Sequence, residues 1–428
     1  MNAAAPENRL PAKQVVAVVA GNALEFYDFV TYAFFAAQIG RTFFPSDQPG
    51  ASLLASLATF GVGFLTRPFG AWVIGRYADR VGRKPAMLLS FWLMGVAVIA
   101  LPLVPAYASI GITAPLLVIV FRMLQGFALG GEVGPNTAFL MEAAPMRQRG
   151  FYISMQATSA DFAVLIAGLV GMLLANVLTT AQLDAWGWRA ALLLGAVILP
   201  FGLVLRRSLT ESLQRAPPSV VETAPPDARI YFRIGAVSIA LIATATTVNY
   251  LLSYMTTYAN STLGLPERLA FGATVAVGAA GLVFDPIGGW LSDRFGRKRV
   301  ILLPWLLLAV LVFPGFWMIE HFRNGAALWS VCAVLASVST MAGTTALVSI
   351  TEWLPRRVRA GGFGLIYAAS IAVFGGSTQF MTAWLTQLTG NPLVPAWYMF
   401  AGIAVGMVAL WQLPETAPIK TGELAGTI

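Results

Sequence analysis

Residues 75–84 read GRYADRVGRK, and residues 289–298 read GWLSDRFGRK. Both stretches set an aspartate between two glycines and surround it with basic side chains. They lie half of the 428-residue chain apart. The sequence between and around them is oily: 57% of residues are hydrophobic, 11% are charged, and the mean hydropathy is +0.73. A soluble domain carries about 25% charged residues. Two short basic turns repeated at half-length within an apolar chain predict an internally duplicated membrane protein.

Working outward from these turns, apolar runs such as LLSFWLMGVAVIALPLVP (88–105) and ALLLGAVILPFGLVL (191–205) recur along the chain. Runs of roughly 20 such residues cross a hydrocarbon core of about 30 Å as helices. The strict alternation of a membrane β-barrel is missing. Twelve spans fit, starting near residues 15, 51, 86, 114, 151, 187, 232, 269, 300, 326, 361 and 393. No cleavable leader is read at the start, because the first apolar run lacks a small-residue cleavage site and leads directly into GNALEFYDF. The one cysteine, Cys332, excludes an internal disulfide and reads as a small apolar filler.

The formal charge of +8 does not point to nucleic acid. Of 27 lysines and arginines, twenty-one fall at the termini and in alternate loops, around 76–84, 147–149, 206–233, 294–299 and 356–359. The intervening loops carry Arg41, Arg189, Arg268 and Arg323. This is the positive-inside distribution, and it predicts that both termini are cytoplasmic in a bacterial-type inner membrane.

The longest polar stretch contains QRAPPSVVETAPPDAR and reads as a cytoplasmic linker. The expected organisation is an N-terminal tail (1–14), a six-helix bundle (15–205), the linker (206–231), a second six-helix bundle (232–413) and a C-terminal tail (414–428). Further echoes support two pseudo-symmetric halves. Glu142-Ala-Ala-Pro145 with Arg149 parallels Glu352-Trp-Leu-Pro355 with Arg359. Repeats of this size are the mark of secondary transporters, whose halves rock about a midplane site. The fold class expected is an all-α polytopic membrane protein with twelve transmembrane helices in two six-helix bundles. At the inner face, Gly75 and Gly289 are expected to let helices approach closely. Asp79 and Asp293 are placed to accept from helix N-termini or from arginines such as Arg149 and Arg359. With Arg83, Arg297, Glu142 and Glu352 they form an expected cytoplasmic gate, whose ion pairs should lie near the surface and be only modestly strong, ~1 kcal/mol each when exposed.

At this point the motifs resemble a known family. The doubled GxxxDRxGRK, RMLQG in span four and the doubled Glu…Arg motif resemble the major facilitator superfamily. Within it, GNALEFYDF, RTFFP, FLTRPFGAWVIGRYADRVGRK, RMLQGFALGGEVG, GWR, LRRSLTES, PIGGWLSDRFGRK, VFGGST and QLTG are similar to the metabolite:proton symporters, most closely the citrate–proton symporters. The resemblance runs from the first span to the eleventh. It implies the major facilitator fold, alternating access, no cofactor beyond a coupled proton, and a small organic anion as substrate. The pattern also departs from the citrate group: Asp161 stands for a glutamine, Asn260 for an arginine, and Ala342-Gly343 for a Tyr-Asn pair.

Ionisable residues inside spans are costly, at roughly 2.5–3.5 kcal/mol each on insertion scales, so each is a candidate site. Glu25, Asp28, Glu132 and Asp161 are the candidate proton-coupling acids, since the single histidine, His321, falls in an outer loop. Span one sets Asn22, Glu25, Phe29 and Tyr32 on one helical face with Asp28 at its border, and span four groups Arg122, Gln125, Gly126, Glu132 and Asn136 within one arc. At 1.5 Å per residue, Asp28 and Arg122 differ in depth by only ~3 Å. Arg122 suits bidentate carboxylate binding. The substrate set expected is Arg122, Gln125, Asn22 and Tyr32 from the first half, with Asn249, Tyr250, Ser253, Tyr367 and Thr378 from polar stripes on spans seven and eleven. Arg67 reads as a helix–helix strut, and Asp285, beside Pro286, as a cap or pair near the cytoplasmic end.

An enzyme is excluded by the lack of HExxH, Cys/His clusters or a nucleophile–histidine pairing. The expected function is proton-coupled uptake of citrate or a related tri- or dicarboxylate. The alternatives are transport of another small metabolite, a monocarboxylate or zwitterion, or a drug or metabolite exporter of the same fold, with a non-transporting nutrient sensor ranked behind them. Span five (SMQATSADFAVLIAGLVGMLL) lacks the Gly-Pro motif of drug exporters, and the short linker and tail leave no room for the added domain of a nutrient sensor. The partners expected are the organic anion and membrane lipids, with no nucleic acid, and the chain is expected to be a monomer.

Overall fold

The computed structural model describes residues 12–48, 50–131, 133, 136–137, 140–141, 144–207, 228–355 and 359–422. These residues contain no strand, and ten of their helices are long and apolar enough to cross a membrane. With Ala12–Phe34 and Trp188–Arg207 they make the expected twelve crossings. We number them α1 (Ala12–Phe34), α2 (Ala51–Leu65, continuing past Thr66 as Arg67–Val81), α3 (Arg83–Leu103), α4 (Thr113–Gly130), α5 (Arg149–Val177) and α6 (Trp188–Arg207). The second half holds α7 (Ala228–Ser261), α8 (Glu267–Phe295), α9 (Arg297–Phe322), α10 (Gly325–Trp353), α11 (Arg359–Ser370, a π-helical turn Ile371–Gly375, then Gly376–Thr389) and α12 (Val394–Gln412). Because consecutive spans alternate in direction, the first and last described residues and both GRK turns share one face, called here the terminal face. The opposite end is the far face.

The turns explain the repeated glycines. Gly82 and Gly296 take φ of 132° and 96°, which side-chain-bearing residues rarely adopt, and this lets one span end and the next begin within a residue. Elsewhere side chains stop or start the helices. The Asn324 side chain accepts the Ala327 N–H at the start of α10, and Thr179 with Gln182 forms a capping box before α6.

In lipid, burial of apolar surface does not drive helices together, so small residues and polar contacts set the packing. Gly126 of α4 lies against the backbone carbonyl of Gly63 on α2, with no space for a Cβ. The outer surface keeps large apolar residues exposed, among them Trp72, Leu103, Val197 and Val310, as lipid-facing positions require. The long contact between halves runs along α5 and α8. At the far face the halves meet through Gln38 Nε2 donating to Glu267 Oε1 (2.8 Å) and Phe35 beside Phe271, and deeper in the membrane Gly61 of α2 lies against Gly376 of α11. Arg41 and Asp184 form an ion pair on that same face.

Candidate functional site

A central cavity lies between the halves, among packed helices where small-molecule sites commonly form. Asn22 and Phe26 of α1, Gln156 and Asp161 of α5, Asn249 and Tyr250 of α7, Asp285 of α8, Thr340 and Thr344 of α10 and Tyr367 of α11 line it. Its walls interlock by hydrogen bonds. Asn22 Nδ2 donates to the Gln156 carbonyl (3.1 Å) and to Ser159 Oγ (2.8 Å), while Thr137 Oγ1 donates to Gln156 Oε1 (2.6 Å). Toward the terminal face, Leu140, Met141 and Ile153 of the first half pack with Val348 of the second. Toward the far face an aromatic layer closes the cavity, where Tyr250 packs on Phe60 and Phe64 with centroids 6.1 and 5.3 Å away.

Behind that layer sits a buried polar chain. Gln125 Nε2 donates to Asp28 Oδ2 (2.6 Å), and Arg122 Nη1 donates to Gln125 Oε1 (2.6 Å). Span four therefore reaches Asp28 through a glutamine and not by direct ion pairing. The Arg122 guanidinium is held over the rings of Tyr32, Phe29 and Phe60, at 4.4, 4.7 and 5.1 Å. Such cation–π contacts are worth about 2 kcal/mol or more when desolvated. Its Nε and Nη2 have no hydrogen-bond partner. Arg67 lies close by, over Phe64 (4.3 Å) and Phe29 (4.7 Å), with Nε and Nη2 likewise unpartnered. The Phe64 ring that carries it also packs against Tyr250 of the other half. Two cations with spare donors thus flank the Phe29 ring, next in sequence to Asp28.

The terminal face carries a second network. Asp293 Oδ1 and Oδ2 accept the N–H groups of Gly150 (2.9 Å) and Phe151 (3.0 Å), the first turn of α5 in the opposite half. A carboxylate there complements the positive end of the helix dipole. Arg297 donates to Asp293 (2.8 Å) and binds Glu352 in a two-pronged pair (3.0 and 3.1 Å). Close approach at Gly289 allows this, since a Cβ there would meet the Gly150 carbonyl oxygen at 2.5 Å.

Several expectations need correction. The gate's ion pairs are not near the surface: Arg297 is 0% exposed by side chain, and its partners Asp293 and Glu352 are 6% and 4% exposed. The segment after α12 covers them, with Thr416 donating to Glu352 and Glu415 accepting the Arg297 N–H. The arginine on Asp293 is Arg297 and not Arg149, whose Nε has no partner. Gly75 makes no close approach, because a Cβ there would meet no described atom within 4 Å, and the same holds for Gly361 of α11. The α5/α8 seam is therefore tight at the terminal face while the equivalent α2/α11 seam is looser. Asp285 does not cap near the helix end; it projects into the cavity, where Thr344 Oγ1 donates to it (2.5 Å). Arg67 does more than strut one half, since the Phe64 ring beneath it packs on Tyr250 across the interface.

Of the expected substrate residues, Asn22, Asn249, Tyr250 and Tyr367 line the cavity. Arg122, Gln125 and Tyr32 lie behind the aromatic layer. Ser253 and Thr378 turn back onto their own helix carbonyls, at Asn249 and Phe374. Among the expected acids, Asp161 lines the cavity and Asp28 joins the polar chain. The side chains of Glu25, Asp79, Arg83 and Arg359, and all of Glu132 and Glu142, lie outside the described residues. The site residues that sequence reading missed are Gln156, Thr137, Asp285, Thr340 and Thr344. A signal for Asp285 existed: Gly278, Gly281, Asp285, Gly288 and Ser292 form a small-residue stripe at helical spacing, which marks an interhelical face.

Two family models match the chain, Major Facilitator Superfamily over residues 18–284 and Sugar (and other) transporter over residues 228–425. The citrate-proton symporter of Salmonella typhi is 35% identical over 403 residues, 93% of each chain. The proline/betaine transporter of Escherichia coli is 32% identical over 426 residues, 95% of this chain and 85% of that one. Among solved structures, the proton:xylose symporter XylE bound to 6-bromo-6-deoxy-D-glucose superposes with a TM-score of 0.78 at 17% identity, covering 95% of this chain and 96% of that one. That likeness shows the twelve-helix fold.

Proposed function

The chain belongs to the major facilitator superfamily, and on that premise we propose that it is a proton-coupled symporter that takes up a small organic carboxylate by alternating access. The observation that carries this reading is the Asp28–Gln125–Arg122 chain beside Arg67. A carboxylate buried in lipid and bonded through a neutral amide is suited to gain and lose a proton. The two guanidinium groups that share the Phe29 ring keep donors free for an anion. In this scheme Tyr250 is the movable wall between the cavity and the arginines. The terminal face is the cytoplasmic face of a bacterial inner membrane, and the protein works as a monomer.

Citrate or a related tri- or dicarboxylate leads the candidates, by likeness to the citrate-proton symporter. One observation favours a second reading. The described residues lining the cavity include two aspartates and no lysine or arginine, which suits a zwitterion whose cationic end faces Asp161 and Asp285. The similarity to a proline/betaine transporter runs the same way. Counterflow uptake into proteoliposomes, with citrate and betaine in parallel, separates the readings. Accumulation of citrate driven by an inward proton gradient supports the first, and accumulation of betaine alone supports the second. Failure of every carboxylate and zwitterion in counterflow, on protein that folds, refutes the symporter proposal. A thermal-shift screen chooses the panel, since a ligand at 100 times its Kd stabilises the fold by about 2.7 kcal/mol.

A further inference from the structure

Asp161 and Asp285 come from opposite halves, on α5 and α8, and line the same cavity. The Asp161 carboxyl group packs on α8 at Gly281, one turn before Asp285 and where a Cβ would occupy its space, so the two acids share one stretch of the seam. By residue count Asp161 lies about 18 Å and Asp285 about 15 Å from the terminal ends of their helices, so both sit near mid-membrane. An ionised carboxylate only accepts hydrogen bonds, and two of them cannot bond each other without a proton. A second observation points the same way. Asp285 is 1% exposed; its Oδ1 receives the Thr344 hydroxyl, but its Oδ2 is buried with no partner. A donor is missing there, and the neighbouring group is another carboxyl.

The surroundings supply no other compensation. The elements packed around the pair bring Asn22 from α1, Thr137 from α4, Gln156 from α5, Thr246, Asn249 and Tyr250 from α7, Thr340 and Thr344 from α10, and Tyr367 from α11. Of these only the two tyrosines titrate, and no described lining residue is cationic. Two full negative charges on one stretch of the seam at low dielectric repel by several kcal/mol, so one of the pair stays protonated. Asp28 differs, since Gln125 donates to it and Arg122 stands one residue further along the chain of bonds.

We propose that Asp161 and Asp285 hold a single proton between them, and that this pair is a second ion-coupling site bridging the two halves. The proposal rests on the transporter reading above. The step balances simply: a carboxylic acid hydrogen-bonded to a carboxylate releases one proton to water in the cavity and leaves two carboxylates. The shared proton joins α5 to α8, and its loss sets like charges against each other across the seam. Proton release and separation of the halves are thereby one event.

The test needs no substrate. Infrared difference spectra of the purified protein across a pH titration report protonated carboxyl groups through their C=O stretch. One band is expected to disappear in Asp161→Asn, in Asp285→Asn and in the double variant alike, because one proton serves both residues. Gly281→Ala keeps both acids and is expected to shift that band. On a Cys332→Ala background, a reporter cysteine at Leu347 is expected to label faster as the band titrates away, and to lose this pH dependence in Asp285→Asn. Should one amide variant misfold, the other reports on the same band. A spectrum unchanged by either amide, two bands removed one by each variant, or a labelling profile in Asp285→Asn identical to wild type would each overturn the proposal. None of these outcomes depends on whether citrate is carried.

Discussion

Replacing Asp293 with asparagine keeps the shape of the side chain and removes its charge where the second half grips the first. In the intact protein both carboxylate oxygens accept backbone N–H groups of the opposite half, from Gly150 and Phe151, at 2.9 and 3.0 Å. An amide has one oxygen, so at least one of these bonds is lost and the other becomes neutral. A hydrogen bond to a charged group contributes about 1.5–3 kcal/mol, and a charge at a helix N-terminus about 0.3–2 kcal/mol. Solvent screening is slight at 6% exposure. The loss across the seam therefore comes to about 2–4 kcal/mol, with overlap between the two contributions favouring the lower end. Arg297 keeps its two-pronged pair with Glu352, so the second half stays folded. A loss of ~2 kcal/mol shifts the open-to-closed ratio at the terminal face by roughly 30-fold. The assay is the labelling rate of a cysteine at cavity residue Leu347, on the Cys332→Ala background, with a membrane-impermeant maleimide applied from the terminal face. A rate within twofold of the parent, in protein of unchanged melting temperature, would refute the reasoning and leave the motif as a topology signal.

Arg122→Lys removes the planar group stacked on Phe29, Tyr32 and Phe60, and proton-driven uptake into proteoliposomes is expected to fall about 10- to 150-fold, the equivalent of one charged hydrogen bond. Asp28→Asn is expected to abolish uptake driven by a pH gradient while substrate exchange persists; a retained gradient response would remove Asp28 from the coupling chain. Gly61→Ala pushes a methyl group into the Gly376 carbonyl where α2 meets α11, an overpacking of about 1–3 kcal/mol, and should speed labelling from the far face about 5- to 150-fold.

The fold was legible because its signals are strong and local. Span length, the side on which arginine and lysine cluster, and the half-length repeat of GxxxDRxGRK all follow from what a bilayer demands of a chain. The partner of Asp293 was legible in kind, since a carboxylate between glycines at a helix end suits another helix's N-terminus. Its depth was not, because residues after α12 fold back over Arg297 and Glu352, and such a long-range cover leaves no periodic trace. The depth arithmetic brought Arg122 near Asp28 correctly, but the bridging role of Gln125 depends on how α1 and α4 are rotated. Rotation is set by packing, and helical periodicity gives only the faces.

Asp285 shows what that gap costs the functional reading. From the sequence, the first half holds the charge and the second offers neutral polar stripes. In the fold the second half contributes an acid of its own, on the stretch of α8 that packs on Asp161, while its Tyr250 packs on the Phe64 ring that carries Arg67. The two halves therefore meet at the centre through two contacts of opposite character, acid beside acid and an aromatic ring beside a guanidinium. Any rotation that opens one half from the other must disturb both. A proton strengthens the first contact, and an anion entering beside Arg67 competes with the second. Charge entering the site thus acts on the seam between the halves, and coupling between ion and substrate needs no longer-range relay.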